Sequence, residues 1–214
     1  MMAKLIKFKR INFGNYFKEL SIVIIGVAVT LAASSVISTI SEKRDLKLQM
    51  NAIYAELEDN LAKVNKLNDF YQDTRKLNEY LMKDYRNPGT AYEDSLMSLN
   101  RIVGKVPGFV YKRNAYDMFI NSGGMKSFKD KKLLLDITEC YALLEILNKA
   151  HQVFTGSIIE LLKDIYSMET EKIVGNIGIK DFPNFYNFHL MSSADYENSE
   201  LTIKMINKVL SKRK

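Results

Sequence analysis

The sequence predicts an all-α protein in which an N-terminal transmembrane helix continues into an extramembrane antiparallel helical bundle. Three observations carry this. The 214 residues hold only three Pro and ten Gly, the residues that punctuate β-proteins. Leu20 to Ile40 is an unbroken uncharged run. Beyond it, apolar residues recur every three or four positions, the period of an amphipathic helix.

The first element is the basic leader, residues 1–19, where Lys4, Lys7, Lys9, Arg10 and Lys18 stand against Glu19. Residues 20–40 follow as the span. As a helix they cover about 31 Å, close to the hydrocarbon thickness of a bilayer. Their hydroxyls, Ser34, Ser35, Ser38 and Thr39, are tolerated there because they can bond back to the helix's own carbonyls. A cleaved signal peptide also begins with a basic region and an apolar run, and Ala32-Ala33-Ser34-Ser35 offers small residues for cleavage. The pattern after the run favours a retained anchor. No Gly or Pro occurs from Ser41 to Asn87, and Leu46, Met50, Ile53, Leu57, Leu61, Val64, Leu67 and Tyr71 mark one helix face. A buried core helix of a soluble fold is the third alternative. Five basic residues before the span against Lys43, Arg44 and Lys47 after it place the N-terminus in the cytoplasm. Residues 41–214 then form a periplasmic domain of a protein of the inner membrane. Gly26, Thr30, Ser34 and Ser38 recur every four residues, a spacing that lets two membrane helices approach closely and makes a homo-oligomer through the span an expectation.

The first helix is expected to reach Tyr85 or Arg86, ahead of the break at "RNPGT". A second covers about Ala91 to Val103 and stops at "GKVPGF". A short helix spans Asn114 to Asn121, ended by the glycines of "SGG". A long one runs from about Lys129 to Val174, with Leu133, Leu134, Ile137, Tyr141, Leu144, Leu147, Ile158, Leu161, Leu162 and Ile165 as its stripe and Gly156 as a point of kinking or close packing. Its length matches that of the first helix beyond the membrane, so the two are expected to pack antiparallel. "GNIGIKDFPNFYNF" reads as an irregular connector. A last helix begins at Ser192 or Ser193 and runs to about Lys212, with Leu201, Ile203, Met205, Ile206, Val209 and Leu210 as its apolar residues.

Two stretches resemble a known family. "FGNYFKELSIVIIGVAVTLA" is similar to the segment leading into the membrane in a family of small single-pass helical proteins of unknown function from Bacteroidetes-type bacteria. Glu19 and Gly26 match the Glu and Gly of that pattern. "NAYDMFINSGGMKSFKDKKLLLDITECYALLE" resembles the family's core signature, on which Tyr116, Ser122, Gly123 and Tyr141 fall. The family's polar Asn-Asn-Trp-Asn-type stretch after the span is replaced here by "SSVISTISEKRD". The resemblance implies a helical protein of the cytoplasmic membrane and supplies no catalytic residues.

The remaining residues suggest placement rather than chemistry. Residues 42–214 hold 26 basic and 24 acidic side chains, so no basic face for nucleic acid is expected. The run Lys212-Arg213-Lys214 with Lys208 reads as a solvated tail. Neither a His-x-x-x-His nor a Cys-x-x-Cys spacing occurs, so neither a metal nor another cofactor is expected. Cys140 reads as a small buried apolar residue. His151 reads as a helix-surface or groove residue, and His189 lies in the connector. Glu56, Glu58 and Asp59 read as a solvated helix face, and the many aromatics as core. The expected function is a non-catalytic interaction or scaffolding role in the bacterial envelope, with the lipid bilayer and an unidentified envelope protein as partners. The alternative is a ligand-sensing ectodomain acting through a membrane partner. An enzyme would need Cys140, His151 and acidic groups to converge.

Overall fold

A computed structural model describes residues 13–83, 101–102, 104–167 and 184–213. Every regular element among them is helical: α1 (Phe13–Lys83), α2 (Asn114–Asn121), α3 (Gly124–Ser127), α4 (Lys131–Ser167) and α5 (Phe185–Leu210). The chain divides into two compact units, Met1–Leu48 and Gln49–Lys214. The expected helix over 91–103 is seen only at Arg101 and Ile102, and the rest of it lies outside the described residues, as do the break at 86–90 and residues 175–183 of the aromatic connector.

In the second unit the helical period holds as read. Met50, Ile53, Leu57, Val64, Leu67 and Tyr71 of α1 are all buried. So are Leu133, Leu134, Ile137, Tyr141, Leu144, Leu147, Ile158 and Leu161 of α4. Asp130 caps α4, its Oδ1 accepting the Leu133 N–H at 2.9 Å. A Cβ on Gly156 would meet nothing within 4 Å, so this glycine allows no close packing, and α4 runs through it as one helix.

The packing directions differ from the sequence expectation in one respect. α1 and α4 run parallel: Glu56 meets Tyr141, and fifteen residues further along α1 Tyr71 meets His151. The antiparallel partner of both is α5. Asn78 bonds Ser192 and Asn68 bonds Ser199, while Phe154 stacks on Phe188 and Asp136 pairs with Lys208. The reason is the route between α1 and α4. Residues 107–122 return alongside α1, so the chain starts α4 near the level at which the second unit begins. Three contacts mark this return. Lys63 Nζ donates to the Val110 carbonyl at 2.7 Å. Asn60 takes both backbone groups of Lys112, at 2.8 and 2.7 Å. Ser122 Oγ lies 3.3 Å from Gln49 Oε1. Parallel neighbours need such a crossover, and equal helix length does not reveal it.

α5 starts at Phe185, seven residues before the expected serine cap, so Phe185, Phe188 and His189 are helical. Its buried residues are Phe185, Phe188, Ser192, Asp195, Ser199, Thr202, Ile206 and Val209, whereas Leu201 is exposed. The basic C-terminal run is docked rather than frayed: Lys208 and Lys212 both pair with Asp136, and Arg213 pairs with Glu58 at 2.6 Å.

Candidate functional sites

The first candidate is the apolar part of α1 within the first unit. Residues 20–40 are exposed throughout, with Ile22 at 70%. An 18-residue window here reaches a mean hydropathy of 2.5, and none of that window is covered by the chain. This helix is long and apolar enough to cross a membrane. Its hydroxyls satisfy themselves along the helix: Thr30 Oγ1 donates to the Gly26 carbonyl at 2.8 Å and Thr39 Oγ1 to the Ser35 carbonyl at 2.9 Å. Ser38 Oγ instead donates to Glu42 Oε1 at 3.1 Å. A Cβ on Gly26 would meet nothing within 4 Å, and Thr30, Ser34 and Ser38 are exposed with it. Glu19 is exposed as well.

Tyr116, Ser122, Gly123 and Tyr141 all lie in the second unit. Tyr116 and Tyr141 stack, with ring centroids 4.2 Å apart and planes 11° from parallel. Ser122 is the C-cap of α2, its N–H bonded to the Met118 carbonyl. Gly123 follows with φ 78°, the left-handed conformation that glycine takes without strain. Glu56, expected in solvent, is buried. Its carboxylate accepts the Ala115 N–H at 2.9 Å and the Tyr116 N–H at 3.4 Å, capping α2 where Arg113 provides no side-chain cap.

A buried polar junction lies where α1, α4 and α5 meet. His151, expected on the helix surface or in a groove, is 4% exposed. Its Nε2 lies 2.8 Å from the Pro107 carbonyl and its Nδ1 2.8 Å from the Tyr71 hydroxyl. A carbonyl only accepts, so Nε2 carries the proton and Nδ1 is the acceptor for Tyr71. Burial holds the imidazole below its ordinary pKa, against the Pro107 carbonyl, which raises it. Beyond Tyr71 lies Asp195 of α5, 4% exposed, with Oδ2 lacking any hydrogen-bond partner. Burial raises this carboxyl to about 6, and the Tyr71 hydroxyl acts against that rise. Burial, and then the Asp195 carboxylate, push the Tyr71 phenol upward.

No family model, curated protein or solved structure matches this chain.

The geometry limits the chemistry of these groups. Cys140 and His151 are eleven residues apart on α4, about 16 Å along the axis, so they form no thiol–imidazole pair. Burial raises the Cys140 thiol to about 12, which leaves it protonated. Among the described residues no three His, Cys, Asp or Glu side chains gather around one point where a metal could sit. The aromatics pack on one another: Tyr71 and Phe154 meet edge to face at 5.4 Å, Phe154 and Phe188 stack at 5.6 Å, and Phe70 meets Phe154 at 6.0 Å. A shallow groove of about 280 Å³ is lined by Phe70, Asp73, Arg101, Ile102 and Lys105. The polar junction was missed in the sequence because its members lie in three separate helices. The 3-4 spacing of Tyr71, Thr74 and Asn78 on α1 and of Ser192, Asp195 and Ser199 on α5 was the available signal.

Proposed function

We propose that this chain is a single-pass protein of the bacterial inner membrane whose helical domain serves a non-catalytic interaction or scaffolding role in the envelope. The observation that carries the reading is the uncovered apolar stretch of α1. Exposing it to water is costly, at about 25 cal/mol for each Å² of apolar surface, and a bilayer removes that cost. The Lys/Arg asymmetry around the span supports an orientation with residues 1–19 inside and the domain outside. A second feature supports interaction. On α4, Leu135, Ile146 and Val153 are 69%, 51% and 57% exposed. With Ala142 they fall within about 40° of one another around the helix, forming an apolar stripe turned away from the core. Ring-to-ring packing of the described aromatics weighs against the ligand-sensing alternative, which needs a cavity among them.

The test is fractionation of a tagged full-length chain, followed by proteolysis of spheroplasts. The wild type is expected in the membrane fraction after alkaline extraction, with residues 42–214 digested from outside. Ile24→Asp combined with Val27→Asp is expected to release it. A wild-type chain that extracts into the soluble fraction overturns the reading, and a domain protected in spheroplasts overturns its orientation. Cross-linking in native membranes then tests the scaffold role: a specific envelope protein is expected on the Leu135–Val153 stripe and absent from Ile146→Lys.

A further inference from the structure

The Tyr71 hydroxyl has one proton and two acceptors within reach. The tautomer of His151 is fixed by the Pro107 carbonyl, so Nδ1 needs a donor, and Tyr71 supplies it at 2.8 Å. That leaves the Asp195 carboxylate, buried between α5 and α1, without a donor at Oδ2. An ionised carboxylate in that position is expensive, because a buried charge requires a partner. Among the described residues, the groups around it supply no cation. From α1 it faces Tyr71, with the uncharged Thr74 and Asn78 on the same helix face, and from α4 the titratable His151, its pKa lowered by burial, stands behind Tyr71. On its own helix the neighbours one turn away are Ser192 and Ser199, and His189 is turned about 120° around the helix. Arg75, the nearby cation of α1, is engaged by Glu79 and by the Tyr196 ring.

We propose that Asp195 is a proton-binding site that couples the docking of α5 onto α1 and α4 to pH. With the carboxyl protonated, Asp195 carries no charge that needs a donor, and Tyr71 remains bonded to His151. When the proton leaves, two acceptors compete for one hydroxyl, and either His151 or Asp195 is left buried without a donor. Deprotonation therefore loosens a polar junction that brings all three long helices to the returning segment at Pro107.

The sign follows from linkage. The carboxyl binds its proton more tightly with α5 docked than in the open chain, where the ordinary value is 3.8. The Asp195 contribution to docking is therefore largest below that value. It weakens about tenfold per pH unit as pH rises toward about 6, then levels off.

The experiment is hydrogen–deuterium exchange of the full chain in detergent micelles, corrected for intrinsic exchange rates, with opening of α5 read across this range. Wild type is expected to show the rise and plateau, and Asp195→Asn to lose that rise. Tyr71→Phe removes the hydroxyl that opposes the rise in the Asp195 pKa, so its plateau is expected at higher pH. A second readout is independent of docking strength: the carboxyl ¹³C resonance of Asp195, assigned by its loss in Asp195→Asn, is expected to titrate well above the other aspartates. A wild-type exchange profile flat in pH overturns the proposal. So does an Asp195→Asn profile with the wild-type slope, or a carboxyl already ionised at the bottom of the range.

Discussion

The Tyr141 hydroxyl donates to Glu56 Oε1 over 2.6 Å, and the same carboxylate holds the Ala115 N–H at 2.9 Å. One side chain of α1 therefore anchors α4 and starts α2, whose own first residues supply no cap. Tyr116, the second residue to donate its N–H, stacks on the Tyr141 ring. Glu56→Ala leaves a phenol and two backbone N–H groups buried without an acceptor. A loss of about 2–4 kcal/mol in unfolding free energy is expected, against about 1 kcal/mol for Tyr141→Phe. Urea unfolding of the full chain in micelles, followed by circular dichroism, measures both. An alanine variant no weaker than the phenylalanine one would show that α2 is held by other contacts.

The adjacent glycines between α2 and α3 fail for different reasons when substituted. Gly123 has φ 78° and open space around it, so Gly123→Ala meets only backbone strain of about 1–2 kcal/mol. A Cβ on Gly124 would stand 2.5 Å from the ring of Phe119 and 2.9 Å from Gln49 Oε1. Phe119 is fully buried and has nowhere to retreat, so Gly124→Ala is expected to cost about 1–3 kcal/mol through overpacking. Phe119→Leu should recover part of the Gly124→Ala loss and none of the Gly123→Ala loss. Equal recovery in both backgrounds would refute the steric account of Gly124.

The apolar part of the α1 stripe, Met50, Ile53, Leu57, Val64, Leu67 and Tyr71, was legible in the sequence because those buried positions are also apolar. α5 was misread because half of its inward face is polar. Ser192, Asp195, Ser199, Thr202, Ile206 and Val209 step by three and four as regularly as any apolar stripe. Asn60, Val64, Leu67, Tyr71, Thr74 and Asn78 on α1 do the same. Hydropathy assigns Ser, Thr, Asn and Asp to solvent, and only a partner that satisfies their hydrogen bonds reverses that assignment. Glu56 and His151 follow the same logic, since their acceptors and donors lie 59 and 44 residues away in the chain. The short helix at 114–121 and its glycine stop were read correctly because a turn that requires glycine is local information. The direction of α4 relative to α1 was not local. It depends on contacts of residues 107–122 with α1 that no periodicity records.

Cys140 tests how tightly the α4–α5 side of the core is closed. Its thiol is fully buried, and burial raises it to about 12, with Asp136 and then Glu139 adding to the rise. A maleimide applied to the full chain near neutral pH should leave it unmodified for hours and label it at once in concentrated urea. Rapid labelling of the native chain would mean that α4 and α5 separate readily.

Asp136 anchors the far end of α5. It is buried on α4, and its carboxylate receives Lys208 Nζ at 2.9 Å together with Lys212 Nζ. The Lys208 bond, then the Lys212 bond, hold its pKa below the ordinary value of 3.8. A depressed carboxylate contributes stability that is present above the unfolded value and lost as pH falls through the folded one. Asp136→Asn should therefore melt below wild type near neutral pH, and the gap should close as pH falls below 3.8. Asp195 responds in the opposite sense, since acid strengthens its contact. The two ends of α5 should thus separate in a single acid titration, with protection falling around residues 206–212 while it rises around residues 192–199. Exchange profiles that move together along the whole helix would refute this division.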